Sequence, residues 1–220
     1  ERVLPLHNNT RFVQEYTSGM ILRNVTRSPM RERILDAADR MLARYGYQKT
    51  TADDLAREAG IGRRTVYVHF TSKEEIFLAS IDRVVERLID ELKHILYAGG
   101  PAEERLERML TARVLYRFDS VHAYHESLDD MFSVLRGAYL DRRERYFSQE
   151  ADVFALVLTE GQRAGTLRVA DPQQLARTVL LATNGLLPYS LSGRELGSRT
   201  EVEEKTRRVV ALVLEGLRQR

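Results

Sequence analysis

The stretch that decides the fold is residues 45–75, which read YGYQKTTADDLAREAGIGRRTVYVHFTSKEE. Two short helical segments, 52–59 and 63–69, are separated there by a turn that contains Gly60. Glycine permits the left-handed backbone conformation that side chains resist. This spacing is that of a helix-turn-helix, whose second helix lies in the DNA major groove with its first residues facing the base edges.

Capping signals mark where other helices begin. A serine or threonine three residues before an acid predicts a capping box, and this spacing occurs at Thr51/Asp54, Ser72/Glu75 and Thr200/Glu203. Ser28 and Asp171 each precede a proline, which favours the first position of a helix. The predicted helices are 29–45, 52–59, 63–69, 72–97, 101–118, 120–136, 138–164, 172–191 and 200–217. The segments 120–136 and 138–164 are either two consecutive helices or one kinked helix, with Gly137 at the break. With no confident strand, this pattern predicts an all-α protein of about nine helices.

The composition excludes several classes of function. The chain has 220 residues and no cysteine, which excludes a disulfide scaffold, a thiolate zinc site, an iron–sulfur cluster and a cysteine nucleophile. The longest apolar runs, 153–158 and 209–214, are far shorter than the roughly 20 residues of a membrane span. Without an export signal, we expect a cytoplasmic protein that does not contact membranes.

The charge becomes informative only on a local scale. The whole chain carries 34 basic and 32 acidic residues, a balance that gives no sign of a nucleic-acid partner. From Gly60 to Lys73, however, three basic residues (Arg63, Arg64 and Lys73) occur with no acid. The predicted second helix of the motif therefore has the local positive charge that phosphate contact requires.

The same stretch resembles the TetR family of bacterial transcription regulators. The resemblance covers about 45 residues and rests on linked sub-patterns in order: YGYQKTT at 45–51, DLA at 54–56, AGI at 59–61, TVYVHF at 65–70 and SKEE at 72–75. It implies a DNA-binding domain over 29–76 and a ligand-binding and dimerisation domain over 77–220. Residues 1–28 have no sustained hydrophobic period, which predicts an N-terminal arm.

The resemblance also implies roles for single residues. Thr51 is expected to bring its hydroxyl and backbone N–H to a phosphate, and Lys73 to bind another phosphate. Arg63, Arg64 and Thr65 are expected to face the bases, where bidentate pairing of arginine to guanine is the commonest specific contact. Tyr67 and His69 match positions that contact the DNA backbone or support the helix. The alternative for these two is hydrophobic packing and a satisfied core hydrogen bond.

The last two predicted helices carry more apolar surface than one core needs. In 172–191 and 200–217 the leucines and valines cover more than one face, which indicates burial on several sides. We expect these helices to form a homodimer about a two-fold axis, which would pair two reading helices with a near-palindromic operator. The alternative is that both helices belong to a monomer core.

The middle of the chain is the expected ligand region. It is rich in aromatic residues and arginines, and tyrosine suits a pocket because it has an apolar body and a polar tip. The candidate ligand-binding residues are Arg113, Tyr116, His122, Tyr124, Tyr139 and Asn184. The alternative is that these aromatic residues simply fill the core.

These patterns support one function above two others. We expect a DNA-binding transcription regulator, a repressor that a small molecule releases from its operator, with no cofactor and no catalytic residues. An architectural or division-control protein of the same fold without an inducer is the alternative. An enzyme would need a convergent acid, base or nucleophile, and no such set stands out. His122 and His125 share a helix face, but no third ligand is specified, so we expect no metal site.

Overall fold

The computed structural model describes residues 28–121, 128–187 and 197–218. In these ranges the chain forms eight helices and no strand: α1 Pro29–Lys49, α2 Ala52–Glu58, α3 Arg63–His69, α4 Lys73–Tyr97, α5 Ala102–Val121, α6 Leu128–Arg163, α7 Pro172–Asn184 and α8 Arg199–Leu217. The all-α prediction is confirmed, and the expected number of helices was close. The predicted arm lies outside the described residues except for Ser28.

The first capping box forms as predicted. The Thr51 hydroxyl accepts a hydrogen bond from the backbone N–H of Asp54, and the Asp54 carboxylate accepts one from the backbone N–H of Thr51. The second box is only half formed, because Ser72 caps Glu75 but the Glu75 carboxylate accepts from the backbone N–H of Thr71. Glu75 therefore fixes the turn before α4.

The third predicted box is wrong by two residues. Ser198 and Glu201 form it, since Glu201 reaches both the hydroxyl and the backbone N–H of Ser198. Thr200 lies inside the first turn of α8 instead. At the start of α1, Ser28 makes no side-chain cap, and its carbonyl accepts from the N–H of Glu32 at 3.1 Å.

The break expected at Gly137 does not occur. α6 is one helix of 36 residues that includes Gly137. A Cβ placed on Gly137 would meet nothing within 4 Å. Gly137 is exposed, whereas its neighbours Leu135 and Tyr139 are buried and continue the apolar stripe of the helix. In α1 the backbone does leave helical geometry at Gly46, where φ is 75°.

α4 joins the two parts of the described structure. On one side it packs against α1, which with α2 and α3 surrounds a small core that contains Leu55 and Val66. On the other side it packs against α5 and α6, which also contact α7. A shift of α4 is therefore felt in both parts. The predicted boundary between 76 and 77 falls within this continuous helix.

Candidate nucleic-acid interface

α3 has one buried and one exposed face. Val66 is 1% exposed, and Phe70 at the end of the helix is also buried, so this side anchors α3 to the core. Arg63, Arg64, Tyr67 and Val68 are exposed. At about 100° per residue these four positions occupy one continuous arc of the helix. The arc is free to meet a partner surface.

An acid on α2 holds one of the two arginines. The Arg63 guanidinium donates to the Asp53 carboxylate at 2.9 Å and lies 5.6 Å from the centroid of the Tyr67 ring. Both partners of this ion pair are exposed, so solvent weakens their attraction. Arg64, in contrast, takes part in no ion pair within the described ranges and is open to an external acceptor.

The other two residues predicted on this helix are less accessible. Thr65 and His69 are half-buried. The His69 carbonyl accepts a hydrogen bond from Arg31 at 3.0 Å, and the guanidinium of Arg31 lies 4.1 Å from the Phe70 ring centroid. Arg31 thus fixes the end of α3 to α1.

The turn before α3 requires its glycine. Gly60 has φ of +64°, in the left-handed region that favours glycine. The guanidinium of Arg33 donates to the Ala59 carbonyl at 2.7 Å, so an arginine of α1 satisfies the exposed end of α2. This contact fixes the end of α2 to α1.

Thr51 lies at the start of α2, but Asp54 engages both of its donors. The Thr51 hydroxyl donates to the Asp54 carboxylate at 2.6 Å, and its backbone N–H donates to the same oxygen at 3.1 Å. These hydrogen bonds from Thr51 lower the pKa of Asp54. A phosphate at Thr51 would therefore have to displace a carboxylate.

Lys73 is also engaged within the protein. Its ammonium donates to the Tyr47 carbonyl at 3.1 Å and lies 4.1 Å from the centroid of the Tyr47 ring. The Tyr47 hydroxyl in turn donates to Glu74. An ammonium has three donors, so Lys73 can still offer N–H groups to a phosphate.

Comparison with known proteins identifies the family. Residues 34–80 match the family model described as bacterial regulatory proteins, tetR family, and these are the residues of α1 to α4 that build the helix-turn-helix. Over these residues the chain matches the DNA-binding region of the TetR family. The predicted resemblance is confirmed, and with it the reading of the chain as a DNA-binding transcription regulator.

Several known proteins match this regulator beyond the helix-turn-helix. The fatty acid metabolism regulator protein of Bacillus subtilis is 24% identical over 159 residues, which are 70% of this chain and 79% of that protein. A transcriptional regulator from Cytophaga hutchinsonii shares the fold, with a TM-score of 0.71, 22% identity, and coverage of 86% of this chain and 98% of its own. A protein from Saccharomonospora viridis in complex with choline has a TM-score of 0.61, 25% identity, and coverage of 86% and 98%.

The predicted ligand residues of the regulator separate into two groups. Arg113, on α5, is buried and donates to the Thr183 hydroxyl and the Asn184 side-chain carbonyl, both at 2.7 Å. Tyr139 on α6 is buried close to this group, and burial raises the pKa of its hydroxyl. Tyr116 is half-buried, and the charged residues that act on it are on α4. His122 and Tyr124 lie outside the described residues.

The sequence did not single out the acid at the centre of this group. Glu150 on α6 is 1% exposed and accepts from Arg113 at 2.5 Å and from Arg117. Burial alone would raise the pKa of Glu150, but the two guanidiniums outweigh it and the pKa is lowered. One signal was available: Glu150 lies four residues from both Tyr146 and Phe154 in the buried stripe of α6, where an acid requires a buried cation.

Two adjacent residues of α4 connect the two parts of the regulator. Arg83 is buried and donates to Asp36 at 2.7 Å and Asp39 at 2.6 Å, both on α1. Asp82, the preceding residue, accepts from Arg142 and from Tyr146, both on α6. A single turn of α4 therefore makes ion pairs with α1 on one side and with α6 on the other.

Among the described residues, no group of three histidine, aspartate or glutamate side chains could hold a metal ion. In the same ranges no helix is both long enough and apolar enough to cross a bilayer.

Proposed function

We propose that this TetR-family regulator is a dimeric repressor that binds a near-palindromic operator through α3 and leaves it when a small molecule binds the C-terminal helices. The observation that carries the proposal is the exposed arc of α3, with two arginines and no acid on the helix. The arc lies opposite the buried face that fixes the helix to the protein.

The contacts suggest a division of roles along this surface. Arg64, open to an external acceptor, is the side chain best placed to pair with a guanine edge. Arg63 contacts the bases or a nearby phosphate once Asp53 releases it. Lys73 supplies charge to a phosphate while its remaining contact holds Tyr47. Thr51 contacts a phosphate only when Asp54 turns away.

Two exposed leucines support the dimer. Leu181 on α7 is 60% exposed and Leu212 on α8 is 72% exposed, and α7 and α8 contact each other within the chain. Such side chains on neighbouring helices favour burial against a second copy about a two-fold axis. The dimer would present two copies of α3 to successive turns of the major groove.

The proposed effector region is the buried group of Arg113, Glu150 and Asn184. It joins α5, α6 and α7, so a ligand that repacks it would move α6 against α4 through Asp82. Arg83 on the same turn would carry that movement to α1. The ligand must bind the two conformations unequally, and DNA must weaken ligand binding by the same factor.

The proposed role of α3 is tested by selecting bound duplexes from a random pool and measuring affinity for the selected operator. Arg64→Ala should lower affinity about tenfold to a hundredfold for that operator and relax the preference at one base pair per half-site. Lys73→Gln, which can still donate to the Tyr47 carbonyl, should weaken all duplexes alike and reduce the salt slope by about one per protomer.

The control for both variants is Arg163→Ala, which removes an exposed arginine at the end of α6. It should bind the operator like the wild type. If Arg64→Ala and Lys73→Gln changed every duplex equally, the division between base reading and phosphate binding would be wrong.

The effector part of the proposal has its own test. Choline and a saturated fatty acid are first probes, because a relative was solved with choline and another is named a fatty acid metabolism regulator. A probe that raises the melting temperature and lowers operator affinity is an effector. Asp82→Asn should keep the binding of that probe and lose most of the release. Equal release in the variant would exclude Asp82 from the coupling.

A further inference from the structure

Val68 has the most exposed of the large apolar side chains in the part of the chain that the structure describes. Val68 is 73% exposed, although it lies on α3 only two residues before the buried Phe70. The core contacts of α3 are made by Val66 and Phe70, on the opposite side. Val68 therefore contributes little to the packing of the folded monomer.

The exposed arc of α3 consists of two rows. Residues four apart are neighbours on a helix surface, so Arg63 and Tyr67 form one row and Arg64 and Val68 form the other. The first row is tied to α2 by the ion pair between Arg63 and Asp53 at 2.9 Å. The second row consists of one cation followed by one apolar side chain. It is exposed and can contact the groove that α3 is proposed to enter.

The chemistry of the major groove suggests a specific partner for this row. Arginine pairs with the two acceptors of guanine, and the apolar group displayed on the base edges there is the 5-methyl group of thymine. Single exposed valines are ordinary on protein surfaces. This one, however, belongs to the exposed arc that the proposed function brings into the groove, in the same row as Arg64.

We propose that Val68 reads a thymine methyl group in each half-site, beside the guanine read by Arg64. The inference rests on the proposed function and adds a specificity-determining residue to it. Four helical residues rise about 6 Å, and base pairs are stacked about 3.4 Å apart. The thymine should therefore lie within about two base pairs of the guanine.

The experiment replaces each thymine of the selected operator, one at a time, with deoxyuridine, which removes the methyl group alone. The full-length protein is titrated with each duplex. At one position per half-site the replacement should lower affinity about fourfold, the factor that burial of one methyl group contributes. Replacement at the remaining thymines should change affinity by less than about twofold.

Variants of Val68 assign that effect to the side chain. Val68→Ala should bind the thymine duplex about as weakly as the wild type binds the uracil duplex, and should lose the response to uracil. Val68→Thr keeps one methyl group and the shape of the valine side chain, so it should retain part of the response to uracil. Val134→Ala is the matched control, since Val134 is an exposed valine of α6, and should respond to uracil like the wild type.

Three results would overturn the inference. The first is an operator in which no thymine responds to loss of its methyl group. The second is a response that persists in Val68→Ala, since another side chain would then sense the methyl group. The third is a protein that retains no duplex from the pool, which would also refute the proposed function. The first two leave the proposed function intact, so its failure and the failure of this inference are distinguishable.

Discussion

Asp53 shows how a single residue can oppose the function of its neighbours. Its carboxylate pairs with Arg63 at 2.9 Å, next to Asp54, which engages both donors of Thr51. The start of α2 therefore presents two carboxylates at the surface where phosphates are expected. Binding of DNA would have to separate Asp53 from Arg63.

Replacing Asp53 with Asn should strengthen operator binding about threefold to tenfold at low salt, because it frees Arg63 and removes a negative charge close to the phosphates. The gain should shrink as salt screens the charge. Titration of the operator at several salt concentrations measures both effects. Asp119→Asn, which breaks an exposed pair with Arg199 in the C-terminal domain, should change nothing. Weaker binding by Asp53→Asn would mean that Asp53 positions Arg63 for DNA.

Glu150 is the residue on which the buried cluster of the C-terminal domain depends. Glu150→Gln removes the charge that compensates Arg113 and Arg117, both buried. Removing one partner of a buried ion pair costs about 3–5 kcal/mol of unfolding free energy. Urea denaturation at neutral pH measures this loss. A change below about 1 kcal/mol would show that the cluster is open to water.

Because of Glu150, we expect the unfolding free energy of the protein to fall at acidic pH. The pKa of Glu150 is lower in the folded state than the ordinary 4.5, so its contribution is present above about pH 4.5 and is lost as the pH falls below it. The unfolding free energy of the wild type should fall more steeply with acidification than that of Glu150→Gln. Parallel curves for the two proteins would contradict the assignment.

At the scale of elements, α4 is the helix on which coupling depends. Its buried Arg83 binds acids of α1, and burial raises the pKa of one of them, Asp39, although Arg83 opposes this shift. Asp82 binds α6 on the adjacent side. The two ion pairs point to different helices because neighbouring residues of a helix are about 100° apart.

Arg83→Met should destabilise the protein by about 1.5–3 kcal/mol, the range for hydrogen bonds to charged groups. It would also leave Asp36 and Asp39 of α1 close together without their cation, whereas Glu32 would keep its pair with Arg87. The double variant Arg83→Met/Asp39→Asn should recover part of the loss, because one of the repelling charges is gone. Urea denaturation compares the two. No recovery would show that the loss came from packing of the Arg83 stem instead.

The local features of these elements could be predicted from the sequence. The capping box of Thr51 and Asp54 depends on residues three apart, and the turn at Gly60 on one residue. The break predicted at Gly137 was wrong, because a glycine on the exposed side of a long helix is tolerated when the buried apolar stripe continues. The cap of α8 was misplaced because two serine or threonine positions compete for two nearby acids.

Contacts between distant segments could not be predicted. The pairing of Arg63 with Asp53 depends on the angle between α2 and α3, and that of Glu150 with Arg113 on the packing of α5 against α6. For the site, the sequence therefore predicted which residues lie at the surface around α3. It did not predict that Asp53, Asp54 and Tyr47 already engage Arg63, Thr51 and Lys73. Val68 was missed because an apolar residue in a helix is expected to be buried.

At the scale of the whole molecule, the proposed binding of an operator requires two copies of the chain. A lone α3 of seven residues offers few base contacts, whereas a two-fold dimer doubles them on one operator. The exposed Leu181 and Leu212 are the surface that the dimer would bury.

Replacing both Leu181 and Leu212 with Glu should convert the dimer to a monomer and lower operator affinity at least about a hundredfold, because each half-site is then bound alone. Sedimentation velocity measures the mass, and titration the affinity. Leu140→Glu, at an exposed leucine of α6, should remain dimeric. A monomeric wild type that binds the whole operator tightly would refute the proposed assembly.

The central claim, that α3 reads the major groove, is tested most directly by altering one groove of the operator at a time. Replacing the guanine read by Arg64 with 7-deazaguanine removes a major-groove acceptor, and replacing it with inosine removes only the minor-groove amino group. If Arg64 pairs with this guanine, 7-deazaguanine should lower wild-type affinity about tenfold and leave the affinity of Arg64→Ala unchanged. Inosine should have little effect on either protein. Loss of binding with inosine, and none with 7-deazaguanine at any guanine, would contradict the central claim.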